Sequence, residues 1–317
     1  MAVLVGDIGG TNGRFGLVDD GALRPDRIES EPGDAHERFE DALGAFLEKT
    51  GEKPDRAALA VAGPVDDRGH ARITNRQNWV IDPDALKQRF GFSDVLVMND
   101  FVAQAASLPH LSDDETVSLG AARPRRAVKA AVGPGTGLGV AALLPEGEDG
   151  WQPLPSEGGH VEFAPVTAEE AAAFKIIRRA MGRVSAEYVV SGPGLARLHD
   201  ALAEAQGKPA PGLKPAEITE AAVKGEREAL ATAKLFLTML ARFAGDMALT
   251  FGAHGGVYFC GGVAPHLLPV LDVKAFRAAF EAKSPHDEMM SRTATVVVTS
   301  PIAGLIGASA MAARGHV

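Results

Sequence analysis

A chain of 317 residues, 46% of them hydrophobic, is long enough for about two well-buried domains. Its net charge of −9, with only a short basic cluster at Arg123-Pro124-Arg125-Arg126, argues against nucleic-acid binding as the main task. A single cysteine, Cys260, excludes an intrachain disulfide and a cysteine-based zinc cluster, and no basic run precedes the first apolar stretch as a signal peptide would require, so the chain reads as soluble and cytoplasmic.

The first predicted elements are two strands, Val3-Leu4-Val5 and Phe15-Gly16-Leu17-Val18, joined as a hairpin by a glycine-rich loop. In Gly6-Asp7-Ile8-Gly9-Gly10-Thr11-Asn12 the glycines let backbone N–H groups approach a phosphate, and Thr11 and Asn12 add side-chain donors. Asp7 would be repelled by a bare polyphosphate, so it implies a bridging Mg²⁺ held through water. The loop matches neither the dinucleotide fingerprint nor the Walker-type loop, and an ordinary hairpin turn is the plain alternative. A helix is predicted over 37–49, with Phe39, Leu43, Phe46 and Leu47 on one face and Gly51 after its end. A buried strand follows at 57–62, and a helix opens at Asp82-Pro83. A further strand, 95–98, delivers Asn99-Asp100. Alternating strands and helices indicate an α/β domain, in which ligands collect at the carboxyl ends of strands.

A new unit is expected after Leu108-Pro109. Runs at 127–132 and 138–144 flank Gly133-Pro134-Gly135-Thr136-Gly137, a second strand–loop–strand hairpin that suggests two related halves. Helices are predicted from a capping box at Thr167 to about Met181, from Ser191-Gly192-Pro193, and over 231–251. A strand at 256–260 runs into Gly261-Gly262. The uncharged stretch 293–313 is long enough to cross a bilayer, but its Thr299-Ser300-Pro301 and glycines favour a strand, a turn and a helix, which together return to the first domain.

Three glycine clusters follow strands and suit two domains closing on one nucleotide. Those at Gly9-Gly10 and Gly135-Thr136-Gly137 would hold phosphates, and Gly261-Gly262 would lie against base and ribose, although that pair alone is equally a tight turn. Asp100 stands where a base for phosphoryl transfer to an alcohol would stand, with Asn99 beside it for a neighbouring hydroxyl; a helix N-cap would equally explain an Asp there. In Glu157-Gly158-Gly159-His160 a turn could aim Glu157 and His160 at sugar hydroxyls, or be a solvated acidic turn. Glu187, by its neighbours alone, reads as a surface carboxylate.

Taken together these motifs, with Ser191-Gly192-Pro193-Gly194 and Gly261-Gly262-Val263, resemble bacterial glucokinases of the hexokinase/actin-like ATPase superfamily almost end to end. The resemblance implies an α/β fold of two RNase H-like (actin-like ATPase) domains around a central cleft. The small domain would be 1–108 completed by 299–317, and the large domain 109–298. It implies phosphorylation of the glucose 6-hydroxyl by Mg²⁺-ATP, with Asp100 as base and Asp7 holding the metal through water. Asn99, Asp100, Glu157, His160 and Glu187 would bind the sugar, which raises Glu187 above its unaided reading. The nucleotide would be bound by Gly6, Asp7, Ile8, Gly9, Gly10, Thr11, Asn12, Gly135, Thr136, Gly137, Gly261 and Gly262. The partners implied are glucose, ATP and a second copy of the chain as a homodimer, with no nucleic acid and no membrane. Gly13 and Pro134 depart from the usual pattern, and the single cysteine sets the chain apart from relatives with a zinc-binding cysteine cluster. A sugar-responsive regulator would need a helix-turn-helix, which is not expected here, and a structural ATPase would leave Asn99-Asp100 and Glu157/His160 without a reason to occur together.

Overall fold

The computed structural model describes residues 2–314, with Gln77 by its backbone only. The chain divides into two compact units, Met1–Ser112 with Ser300–Val317, and Asp113–Thr299. Residues 315–317 of the expected C-terminal segment lie outside the described residues.

In the first unit, β1 (Val3–Ile8) pairs antiparallel with β2 (Asn12–Asp19), and β3 (Ala22–Leu23) and β4 (Glu29–Pro32) extend the sheet beyond β2. Next comes α1 (Phe39–Thr50), starting two residues later than the apolar spacing suggests. It buries Phe39, Leu43 and Phe46 and ends at Gly51, whose φ of 69° only a residue without a Cβ adopts freely. β5 (Arg56–Val61) lies parallel to β1. A separate hairpin, β6 (Ala71–Ile73) and β7 (Arg76–Ile81), has no counterpart in the sequence reading; its alternating Arg and Asn residues hide it, yet it places the fully buried Trp79 edge-on against Phe39. α2 (Pro83–Phe90) is capped by Asp82, which accepts from the N–H groups of Asp84 and Ala85. β8 (Asp94–Asn99) lies parallel to β5 and leads directly into α3 (Asp100–Ser107). The sheet order is β3-β2-β1-β5-β8.

Strand alternation gives this sheet two apolar faces. Leu4, Ile8, Leu59, Val61 and Val97 join Phe39, Leu43, Phe46 and Trp79 in one core. Val3, Val5, Ala58, Ala60 and Met98 face the other way, against Ala103 of α3 and two residues near the C-terminus, Leu305 and Ala308.

The second unit begins with β9 (Thr116–Ser118) and then runs β10 (Lys129–Pro134), β11 (Leu138–Glu146) and β12 (Gly150–Ser156) as antiparallel neighbours. A helical block follows: α4 (Ala168–Met181), α5 (Ala186–Val189), α6 (Gly192–Ala205), α7 (Pro215–Val223) and the long α8 (Arg227–Phe251). β13 (Gly256–Phe259), α9 (Val263–Leu267), α10 (Val273–Glu281), α11 (Asp287–Arg292) and β14 (Thr295–Val298) complete it. The sheet order is β12-β11-β10-β13-β14-β9. In the first unit β1 is antiparallel to β2 and parallel to β5, with β8 parallel beyond it; in the second β10 is antiparallel to β11 and parallel to β13, with β14 parallel beyond it. The shared plan gives the related halves suggested by the two glycine hairpins a structural basis.

One expectation is corrected here. The last strand does not return to the first unit: β14 is buried between β13 and β9, and only from Ser300 does the chain rejoin the first unit, through α12 (Ala303–Ala313). The turn after Val298 breaks the uncharged stretch, and no described helix is long and apolar enough to cross a membrane. Small residues let α12 lie against backbone. A Cβ added at Gly307 would fall 1.7 Å from the carbonyl oxygen of Ala103.

Candidate active site

The first unit gathers its candidate side chains at the carboxyl ends of β1 and β8. Pairing of β1 with β2 runs through Ile8↔Gly13, so the loop is only Gly9-Gly10-Thr11, shorter than the sequence suggests. Gly6, Asp7 and Ile8 belong to the strand. Ile8 points into the core, and Gly6 lacks a Cβ because one would meet Leu59 at 2.7 Å. The loop is held by backbone hydrogen bonds: Gly9 N–H donates to Asn12 O at 3.0 Å, and Gly33 N–H, just after β4, to Thr11 O at 2.8 Å. A Cβ at Gly10 would be 2.9 Å from that of Asn75, in the β6–β7 turn, so the missed hairpin borders the loop.

Asp7 lies opposite Arg14 across β1 and β2. Burial pushes its carboxyl above the ordinary 3.8, and the Arg14 guanidinium opposes that shift. Arg14, for which the sequence suggests no separate role, donates to the carbonyl of Pro301 and ties the returning C-terminal segment to the hairpin. Gly304 lets α12 come close: a Cβ there would lie 2.6 Å from the Asp7 carboxylate.

At the end of β8, Asn99 is the N-cap of α3. Its Oδ1 accepts from Phe101 N–H at 2.9 Å, and its amide donates to Gly63 O at 3.2 Å. Asp100 is therefore the first helical residue rather than the cap, and its Oδ1 also accepts from Phe101 N–H, at 3.0 Å. The alternative reading of Asp100 as the N-cap gives way, because the neighbouring Asn99 performs that task.

The second unit builds its group around the β10–β11 loop. Pro134 closes β10 in register with Leu138, leaving Gly135-Thr136-Gly137 as the turn, with Gly135 N–H donating to Gly137 O at 2.8 Å. Pro134 thus fits as the last ladder residue. Glu157 precedes a single turn of 3-10 helix, Gly158–His160. That turn crosses the backbone of β11 so closely that a Cβ at Gly159 would be 1.9 Å from Leu138 O. His160 Nε2 is 3.7 Å from a Glu157 oxygen, and its Nδ1 is 3.9 Å from Glu187 Oε1. Backbone pairing brings Glu187 there: Ala186 N–H donates to Val161 O at 2.9 Å and Phe163 N–H to Val184 O at 3.0 Å.

Glu187 is not the surface carboxylate that its neighbours in sequence imply. Its side chain is 25% exposed, against 81% for Glu157, and its Oε2 accepts from Leu138 N–H at 2.9 Å. Gly261, with φ of 81°, passes the Pro134 carbonyl where a Cβ would be only 3.0 Å away, and Gly262 leads into α9. Cys260 is buried and its thiol is pushed up to about 12 by desolvation, as an inert cysteine should be.

The family model for glucokinase matches residues 4–315. The chain belongs to the glucokinase family. The glucokinase of Marinobacter nauticus is 44% identical over 311 residues, covering 96% of this chain and 95% of its own. The crystal structure of a glucokinase from an Antarctic psychrotroph superposes with a TM-score of 0.86 at 34% identity, covering 99% of each chain. A glucokinase of the ROK family from Streptomyces griseus, solved with glucose and AMPPNP, shares the fold, with a TM-score of 0.67 at 23% identity and coverage of 99% and 100%. Family membership makes the chain an enzyme of the kinase class, and the doubled sheets are the RNase H-like units of the actin-like ATPase fold.

The donor set also bears on a metal. Among the described residues no three His, Cys, Asp or Glu side chains cluster as a metal cage. Asp7, beside the glycine loop and costly to ionise where it lies, is a carboxylate of the chemistry that a hydrated Mg²⁺ would take.

Proposed function

We propose that the protein transfers the γ-phosphoryl group of ATP to the 6-hydroxyl of glucose, giving glucose 6-phosphate and ADP. Family membership supports the reaction, and the observation that carries the residue roles is Asp100 at the start of α3 with its capping duty already met by Asn99. Asp100 orients the 6-hydroxyl and takes its proton as the new O–P bond forms and the bond from the γ-phosphorus to the β-phosphate oxygen breaks. Asn99, Glu157, His160 and Glu187 hold the other hydroxyls. The loops Gly9-Gly10-Thr11-Asn12 and Gly135-Thr136-Gly137 receive phosphates through amides other than those of Gly9 and Gly135, which hold the turns themselves, and Gly261-Gly262 lies against the nucleoside. Bound Mg²⁺ neutralises phosphate charge, and Asp7 would hold it through water.

A coupled assay of ADP release tests the reading. Release should require glucose and give glucose 6-phosphate in equal amount; ADP release independent of sugar would point instead to a structural ATPase and overturn it. A panel of hexoses at fixed ATP then defines selectivity. The dependence on Mg²⁺ and the homodimer implied by the resemblance are checked by metal titration and light scattering.

A further inference from the structure

The motif Ser191-Gly192-Pro193-Gly194 has no part in the roles assigned so far, and the structure ties it to the β10–β11 loop. Gly192 N–H donates to Gly135 O at 2.7 Å, at the first residue of the loop. At the other end, Leu138 N–H donates to Glu187 Oε2 at 2.9 Å. The two anchors belong to one short segment. Ser191 Oγ donates to the Glu187 carbonyl at 2.7 Å and accepts from Gly194 N–H at 3.0 Å, which joins α5 to the first turn of α6. No slack exists for larger residues. A Cβ at Gly137 would be 2.6 Å from Glu187 Oε2, one at Gly192 would be 3.0 Å from Gly135 O, and one at Gly194 would be 2.7 Å from the Val189 backbone.

From this geometry we infer that Glu187 is a positioning residue for the nucleotide: its carboxylate holds the Gly135-Thr136-Gly137 loop in its phosphate-receiving shape, in addition to any contact with sugar. A loop of Gly, Thr and Gly has many conformations to lose on binding a phosphate, and a preset loop loses fewer. A hydrogen bond to a carboxylate is among the stronger ones that can preset it. The other oxygen of the same carboxylate faces His160, so a sugar gripping Glu187 acts on the group that sets the loop. Linkage then requires sugar and nucleotide to alter each other's affinity.

The inference rests on the nucleotide reading of this loop, and binding of ADP in the absence of sugar separates the two. Calorimetric titration with Mg²⁺-ADP would be run on the wild type and on Glu187→Ala, Glu187→Asp and Glu187→Gln. Ala removes the acceptor and Asp keeps the charge but is one methylene too short for Leu138 N–H, so each should bind ADP about tenfold more weakly, as expected for the loss of one such bond. Gln keeps an acceptor at the right reach and should stay within about threefold of wild type, well under the loss expected for the broken bond. Hydrogen exchange at the Leu138 amide should accelerate in the Ala and Asp variants and not in Gln. Equal affinities in all four proteins, or retention by Asp with loss in Gln, would overturn the inference, since a residue that only binds sugar leaves sugar-free nucleotide affinity unmoved. A wild type that does not bind ADP would instead bring down the nucleotide reading of the loop, and this inference with it. Asp and Gln are small changes at one position, so the comparison survives if the Ala variant does not fold.

Discussion

Asp100 enters α3 with the cap supplied by Asn99, so exchanging its carboxylate for an amide leaves the helix start intact. Asp100→Asn should therefore keep its melting temperature and change glucose affinity modestly. Its kcat should fall by about 10²–10⁴, the worth of a positioned general base, or about 3–5 kcal/mol of transition-state stabilisation. Retention of more than about a tenth of wild-type kcat would remove Asp100 from the base's role. Asp7 is tested by pH instead. An acid whose folded pKa lies above its unfolded value stabilises the fold while protonated; that contribution is complete below 3.8 and is lost as pH rises through the raised folded value. At neutral pH, above the unfolded value of 3.8, the buried Asp7 thus costs stability, and Asp7→Asn should melt higher than wild type without ligand. The gap should close as pH falls toward 3.8, and Mg²⁺-nucleotide should stabilise the wild type more than the variant. Thermal melts from pH 3 to 8 would show this, and a variant melting no higher at neutral pH would contradict it.

Between elements, glycine decides how close two backbones come, and neighbouring glycines differ sharply in what they tolerate. Gly307 of α12 faces the backbone of α3, the helix that carries Asp100. Gly307→Ala forces the two helices apart and should cost about 1–3 kcal/mol or more, lowering both the melting temperature and kcat. Gly44, in the middle of α1, is the contrast: an added Cβ meets nothing nearer than Phe90 at 3.8 Å. Gly44→Ala should raise stability by about 0.5–1 kcal/mol, because alanine loses less backbone freedom in a helix. Denaturant titration of both variants checks the pair, and equal effects would mean that the α3–α12 approach is softer than its geometry. In the sequence both are simply glycines within apolar stretches. Only the helix placed opposite distinguishes them.

Over the whole molecule, the first unit is discontinuous and depends on the chain's end. Leu305 and Ala308 cover Val3, Val5, Ala58, Ala60 and Met98, and Pro301 accepts from Arg14. Deleting residues 300–317 uncovers that face of the first sheet, whereas the second unit, Asp113–Thr299, keeps all of its own strands. Calorimetry and limited proteolysis of the truncated chain should show the first unit melting earlier and being cut first, with fragments of the second unit persisting. An unchanged unfolding profile would show that α12 contributes little.

Much of the fold follows from local rules written along the chain. The period-2 and helical patterns, the Asp82-Pro83 and Thr167 helix starts, and the glycines that end α1 and α8 depend on neighbours a few residues away, so they are legible without a structure. The motifs at Gly9-Gly10-Thr11, Asn99-Asp100, Gly135-Thr136-Gly137 and Glu157–His160 were legible for the same reason, as each is one short segment at a strand end. What the sequence alone could not determine depends on register and on partners distant along the chain. Pairing of β1 with β2 moved Asp7 from the loop into the strand, and the ladder with β13 kept β14 in the second unit. Glu187 looks like a surface residue because its partner, the Leu138 amide, lies 49 positions away, and burial is a property of what folds over a residue rather than of its neighbours.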